Sequence, residues 1–119
     1  MELSEVQFGE QPPVDGYGTG YFRIGGELFE GSVLISSQGV TPWPGFEALD
    51  QLIDARGDYD VLFLGMGADI AALPAAAKAQ LDATDINYEI MSSPAAARSY
   101  NVLLSEGRRI AAALLAVGK

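Results

Sequence analysis

The sequence predicts an α/β domain with a parallel strand–helix–strand unit, and three observations predict it. The run Asp60-Val61-Leu62-Phe63-Leu64-Gly65 is continuously apolar between turn residues and reads as a central strand covered on both faces. A shorter alternating segment (Ile86, Tyr88, Ile90) runs through Met91-Ser92-Ser93-Pro94 into a long Ala/Leu-rich helix. A helical segment from Pro74 to about Ala83 lies between them, so the two strands are expected to be parallel, with a right-handed crossover.

The remaining elements follow in chain order. Residues 1–16 mix acids with Pro12-Pro13 and show no period; they read as an extended leader ahead of a single domain over 17–119. Tyr17 to Ile24 and Glu27 to Ser36 flank Gly25-Gly26, a pair suited to a tight hairpin turn with positive φ. Gly31 inside the second run marks a bulge or a sharp twist. Thr41-Pro42-Trp43-Pro44-Gly45 reads as a rigid connection. Phe46, Leu49, Leu52 and Ile53 recur at helical spacing up to Arg56-Gly57. Gly65 to Leu73 is a loop, Ser93 reads as the N-cap of the last helix and Pro94 as its first residue. Ala96, Tyr100, Leu103, Gly107, Ile110, Leu114 and Val117 form an apolar seam that carries this helix to the end of the chain.

Composition narrows the chemistry. The chain has 119 residues, no Cys and no His. Disulfides, thiol nucleophiles, Cys/His zinc sites and imidazole acid–base catalysis are therefore excluded. No loop has the alternating acids of a calcium site, and no cofactor is expected. The net charge is −9, yet residues 98–119 set Arg98, Arg108, Arg109 and Lys119 against Glu106 alone. An acidic chain repels phosphate backbones, so no nucleic-acid partner is expected. The basic end either complements a helix dipole or meets an acidic partner surface. No apolar run is long enough to span a membrane, and the acidic N-terminus resembles no targeting sequence, so the expected location is the cytoplasm.

Parallel strands bring their C-terminal ends to one edge of the sheet, where open α/β sheets bind ligands. Here that edge presents Gly65-Met66-Gly67-Ala68-Asp69 and Met91-Ser92-Ser93. The candidate ligand-binding residues are Gly65, Met66, Gly67, Asp69, Ser92, Ser93 and Arg98. The glycines let backbone N–H groups approach a ligand, and the helix start attracts anions. The competing reading is structural: the glycines serve a tight turn and the serine a cap. The third glycine of a dinucleotide fingerprint and the Lys-Ser/Thr of a phosphate loop are both missing. No catalytic residue and no metal ligand is identified. Trp43 is either a lid over the core or an exposed recognition residue.

Several segments carry a family resemblance in their order and spacing. They are Gly31-Ser32-Val33-Leu34, Gly39-Val40 to Trp43, Val61 to Gly67, Met91 to Ala96, Tyr100 to Leu103 and Glu106 to Leu114. Together they resemble the Mth938 domain family, from about Tyr17 to Val117. The resemblance implies three layers: a mixed sheet with helices on one face, and a β-hairpin layer plus a helix on the other. It also implies kinship with a mitochondrial assembly factor of respiratory complex I. The family's Gly-Thr-Gly stands here as Gly65-Met66-Gly67, and its Met-x-Thr as Met91-Ser92-Ser93.

Two functions follow as expectations. One is a non-catalytic binding or assembly module with a protein partner, linked by the resemblance to respiratory-complex or membrane-protein assembly, and present as a monomer or weak homodimer. The other is a small-molecule or anion binder, or an enzyme, using the loop edge at Gly65–Asp69 and Ser92–Ser93.

Overall fold

The computed structural model describes residues 11–118. Strands β1 (Val14–Gly18), β2 (Tyr21–Ile24) and β3 (Glu27–Glu30) form an antiparallel three-stranded sheet. Strands β4 (Val33–Ser36) and β5 (Gly39–Pro42) form a hairpin, followed by α1 (Leu49–Asp54), β6 (Val61–Gly65), α2 (Ala75–Asp82), β7 (Tyr88–Met91), α3 (Ser93–Ser105) and β8 (Ile110–Leu114). The second sheet has five strands in the order β5-β4-β8-β6-β7. As expected, β6 and β7 are parallel neighbours, with Leu62 beside Tyr88 and Gly65 beside Met91.

Period-two alternation sorts the central strands into two cores. Leu62 and Leu64, with Leu34, Ala111 and Ala113, face α1, α2 and Trp43. Val61 and Phe63, with Val33, Ile35, Ala112 and Leu114, face α3 and the three-stranded sheet through Ala96, Tyr100, Phe22 and Ile24. These are the layers that the resemblance implies. Trp43 is buried edge-on to Phe46, with ring centroids 5.2 Å apart, and so is part of the core.

Gly25 and Gly26 have φ of 58° and 86° and close the β2–β3 hairpin as the sequence requires. At Gly31, φ 86°, the chain leaves one sheet for the other, so the single run expected over Glu27–Ser36 is two strands. The rigid connection expected at Thr41-Pro42 is partly strand: β5 pairs with β4 up to Pro42 opposite Val33.

The last helix is shorter than its apolar seam predicts. It stops at Ser105, and Ile110 to Leu114 is a strand between β4 and β6. Gly107 is the stop signal. Its φ is 79°, its N–H donates to Leu104 O at 3.0 Å, and the Arg108 N–H donates to Leu103 O at 3.0 Å. This is the paired closure that a left-handed residue gives a helix end. The run Ile-Ala-Ala-Ala-Leu favours helix locally, but all five residues are buried in the sheet. Gly107→Ala is expected to cost about 1 kcal/mol, because alanine resists positive φ; urea denaturation checks it.

The leader expected over 1–16 lies outside the described residues as far as position 10. From Gln11 onward the chain is docked on α3 and β8. Tyr100 Oη donates to Pro12 O at 2.6 Å, and Gln11 Nε2 donates to Ile110 O at 2.7 Å. The Asn101 side chain accepts from Val14 N–H at 2.9 Å and donates to Val14 O at 2.8 Å. That pairing fixes the start of β1, and no local pattern in residues 11–16 encodes it.

Candidate functional site

At the C-terminal edge of the parallel strands, β6 passes through Gly65 into Met66 and Gly67 while β7 passes through Met91 into Ser92 and Ser93. The structure brings these six residues together. Met66 N–H donates to Met91 O at 2.8 Å and Ser93 N–H to Gly67 O at 2.7 Å. The Ser93 hydroxyl accepts from Gly67 N–H at 3.0 Å and donates to Leu115 O at 2.7 Å. Leu115 N–H returns to Gly65 O at 2.9 Å. The exit of β8 is thus stitched into the same edge, a third participant that sequence reading missed because it placed residues 110–117 in a helix.

The cap differs by one residue from the sequence reading. Ser92 is the N-cap, its hydroxyl accepting from Ala95 N–H at 3.2 Å, and Pro94 is the second helical residue. The Ser93 hydroxyl cannot cap because the tertiary bonds above occupy it. At the start of α3, Ser93 and Ala95 N–H are bonded as stated, Pro94 has none, and Ala96 N–H donates to Ser92 O at 2.9 Å. Gly67, φ 99°, and Gly65 are buried in this arrangement, Met66 is half-buried, and Asp69 stands exposed farther along the loop.

Arg98 lies elsewhere. It belongs to an open groove of about 480 Å³ between α3 and β7. Arg98, Ser99, Val102 and Leu103 supply one wall, Glu89 and Met91 the other, and Phe63 the floor. Val102 is 54% exposed although it sits on a packed helix. The groove exists because α3 lies mainly over β6 and β8 and leaves most of the same face of β7 uncovered. The sequence held a partial signal: Val102 falls off the helical seam. That β7 is an outer strand is a topological fact that no local pattern carries.

A second cleft of about 370 Å³ lies at the opposite end of the parallel strands, lined by Arg56, Tyr59, Asp60, Asp85 and Asn87 among others. Its charges are partly neutralised. Arg109 Nη2 donates to Gly57 O at 2.9 Å, and Arg109 Nε lies 3.4 Å from Asp60 Oδ1. Tyr59 Oη donates to Leu52 O at 2.9 Å. Among the described residues no three carboxylates cluster as a metal site.

Burial pushes the Tyr59 phenol up to about 12 and raises Tyr100 as well. Both groups ionise less readily folded than unfolded. Their contribution to stability is complete below their ordinary value of 10.0 and is lost as pH rises toward the folded value. The melting temperature is expected to fall between pH 10 and about pH 12, less steeply in Tyr59→Phe. Thermal melts across that range check it.

Comparison with known proteins places the chain among relatives. The sequence profile of a family described as a protein of unknown function (DUF498/DUF598) matches residues 14–115. An uncharacterized protein of Rhodobacter capsulatus is 50% identical over 115 residues, covering 97% of this chain and 93% of that protein. A crystal structure described as an outer membrane protein from Bartonella henselae is 32% identical, with a TM-score of 0.82 over 92% of this chain and 98% of that one. A solution structure from Bordetella pertussis, described as a Mth938-like domain, is 25% identical, with a TM-score of 0.73 over 100% of this chain and 92% of that one. No helix among the described residues is long and apolar enough to cross a membrane.

Proposed function

This chain belongs to the DUF498/DUF598 family and has its Mth938-like fold, and from that premise we propose that it is a non-catalytic binding or assembly module working in the cytoplasm. The observation that carries the reading is the groove between α3 and β7. It combines an apolar floor at Phe63, apolar walls at Met91, Val102 and Leu103, and the charges of Arg98 and Glu89 at an open surface. Apolar contact area ringed by charge is the anatomy of a protein-docking surface.

The loop edge favours the small-molecule reading less. The Gly67 and Ser93 N–H groups and the Ser93 hydroxyl, which a ligand would need, already bond within the chain. Displacing them costs about 1–3 kcal/mol for each buried group left unpaired. The composition agrees with a binding role, since the sequence offers neither imidazole nor thiol.

The test is affinity capture from native extract with the wild-type chain beside Val102→Glu. A charge in an apolar docking surface is expected to lower recovery of a specific partner at least about tenfold while the melting temperature holds. Equal recovery by the variant, or turnover of a small molecule that depends on Asp69 or Ser92, would overturn the reading.

A further inference from the structure

We infer that the groove and the free edge of β7 form a two-fold interface with a second copy of this chain, an assignment that rests on the docking reading above and names its occupant. Three observations lead there. First, β7 is an outer strand whose inward bonds use its odd-numbered residues. Leu62 N–H donates to Asn87 O at 2.9 Å and Met66 N–H to Met91 O at 2.8 Å. The alternation of a strand therefore aims the backbone N–H and C=O groups of Tyr88 and Ile90 outward, away from β6. Among the described residues no strand pairs with them.

Second, this edge is not blunted as its counterpart is. The other outer strand, β5, ends in Pro42, which has no N–H to offer. Strand β7 contains no proline, lysine or bulge.

Third, the charges of the groove complement themselves. Glu89 on the β7 wall and Arg98 on the α3 wall are both exposed, and neither is ion-paired with another described residue. A two-fold interface brings each surface onto itself, so an acid and a base on the same patch can pair twice across the dyad.

The charges also choose the register. A dyad at Glu89 would set two carboxylates directly opposite each other, which is unfavourable. A dyad at Tyr88 would set Glu89 opposite Asn87, away from Arg98, whereas a dyad at Ile90 pairs Ile90 with Ile90 of the second copy and places Glu89 opposite Met91, in the groove that holds the second copy's Arg98. The two five-stranded sheets then join into one antiparallel seam at β7. The strand is only four residues long, so the association is weak and concentration-dependent.

Sedimentation velocity tests this from about 1 μM to about 1 mM, a range that brackets small transient interfaces. The wild type is expected to shift from monomer toward dimer as concentration rises. Glu89→Arg and Arg98→Glu are each expected to weaken association about tenfold by placing like charges together twice per dimer. The chain carrying both reversals is expected to recover to within about threefold of wild type. A wild type that stays monomeric throughout, or a double reversal that recovers nothing, overturns the second-copy assignment. If that happens while Val102→Glu still abolishes capture from extract, the groove belongs to a different protein and the docking reading stands.

Discussion

Gly65→Ala is expected to destabilise the fold by more than about 3 kcal/mol, the scale of severe overpacking in a closed core. A Cβ on Gly65 would lie 2.7 Å from Ser93 Oγ, 2.8 Å from Ser93 Cα and 2.9 Å from Leu114 Cδ2. Two of these atoms cannot step aside. Ser93 Cα is backbone at the first turn of α3, and Leu114 is fully buried in β8. The glycine is therefore needed for space, because its φ is not in the left-handed region. Urea unfolding of the variant measures the loss. Gly16→Ala is the control: nothing lies within 4 Å of a Cβ there and its φ is ordinary, so its midpoint should barely move. A Gly65→Ala midpoint close to wild type would show that the edge is looser than its geometry requires.

Ser93→Ala is expected to cost about 2–4 kcal/mol, from two bonds broken by one change. The hydroxyl is both the acceptor for Gly67 N–H and the donor to Leu115 O, and Ser93 is fully buried. Its removal leaves an amide and a carbonyl unpaired, at about 1–3 kcal/mol for each such group that water does not reach. Ser92→Ala removes only the cap bond to Ala95 N–H and should cost about 1 kcal/mol. Parallel urea titrations of the two variants read the difference. Two adjacent serines with unequal effects, the inner one larger, is the expected pattern. Equal small effects would mean that the three strand exits are not held together through Ser93. Combining Ser93→Ala with Gly65→Ala should rescue little, since the Ser93 Cα at 2.8 Å remains.

These two substitutions bear on how the loop edge is interpreted. Reading the sequence, Gly65, Gly67 and the serines look like ligand-binding residues because glycine turns beside helix starts often cradle anions. The same residues also suit a close crossing of three chain segments. Residue type cannot separate the two uses, because both need a small side chain, a free amide and a short hydroxyl. What the tertiary structure adds is a third segment bonded to the Ser93 hydroxyl. Leu115 is that segment, and it arrives only because residues 110–114 form a strand.

The same dependence explains what was legible elsewhere. Strand β6 could be read because its apolar run is continuous, and β7 with the start of α3 because alternation, cap and proline follow one another within a few residues. The β2–β3 hairpin followed from Gly25-Gly26. Strand β8 reads as helix in the sequence because an Ala-rich stretch carries helix propensity and its spacing extends the seam of α3. Gly107 was the available warning: at a helix end it supplies a positive φ, whereas within a seam it merely lowers propensity. Val14 and Gln11 gave no warning at all, since their partners Asn101 and Ile110 are far away in the chain.

By itself the sequence determined the class of fold, the parallel β6–α2–β7 unit, the glycine turn and the chemistry that is excluded, because those depend on residue type and on spacings shorter than about one helix. Tertiary structure alone decided that the chain after Gly107 inserts as a central strand, that the loop edge closes on itself and that β7 is left open beside α3. Those outcomes depend on which segments meet across the sheet. The burial and hydrogen bonds gained there outweigh local preference, which amounts to only a few tenths of a kcal/mol per residue.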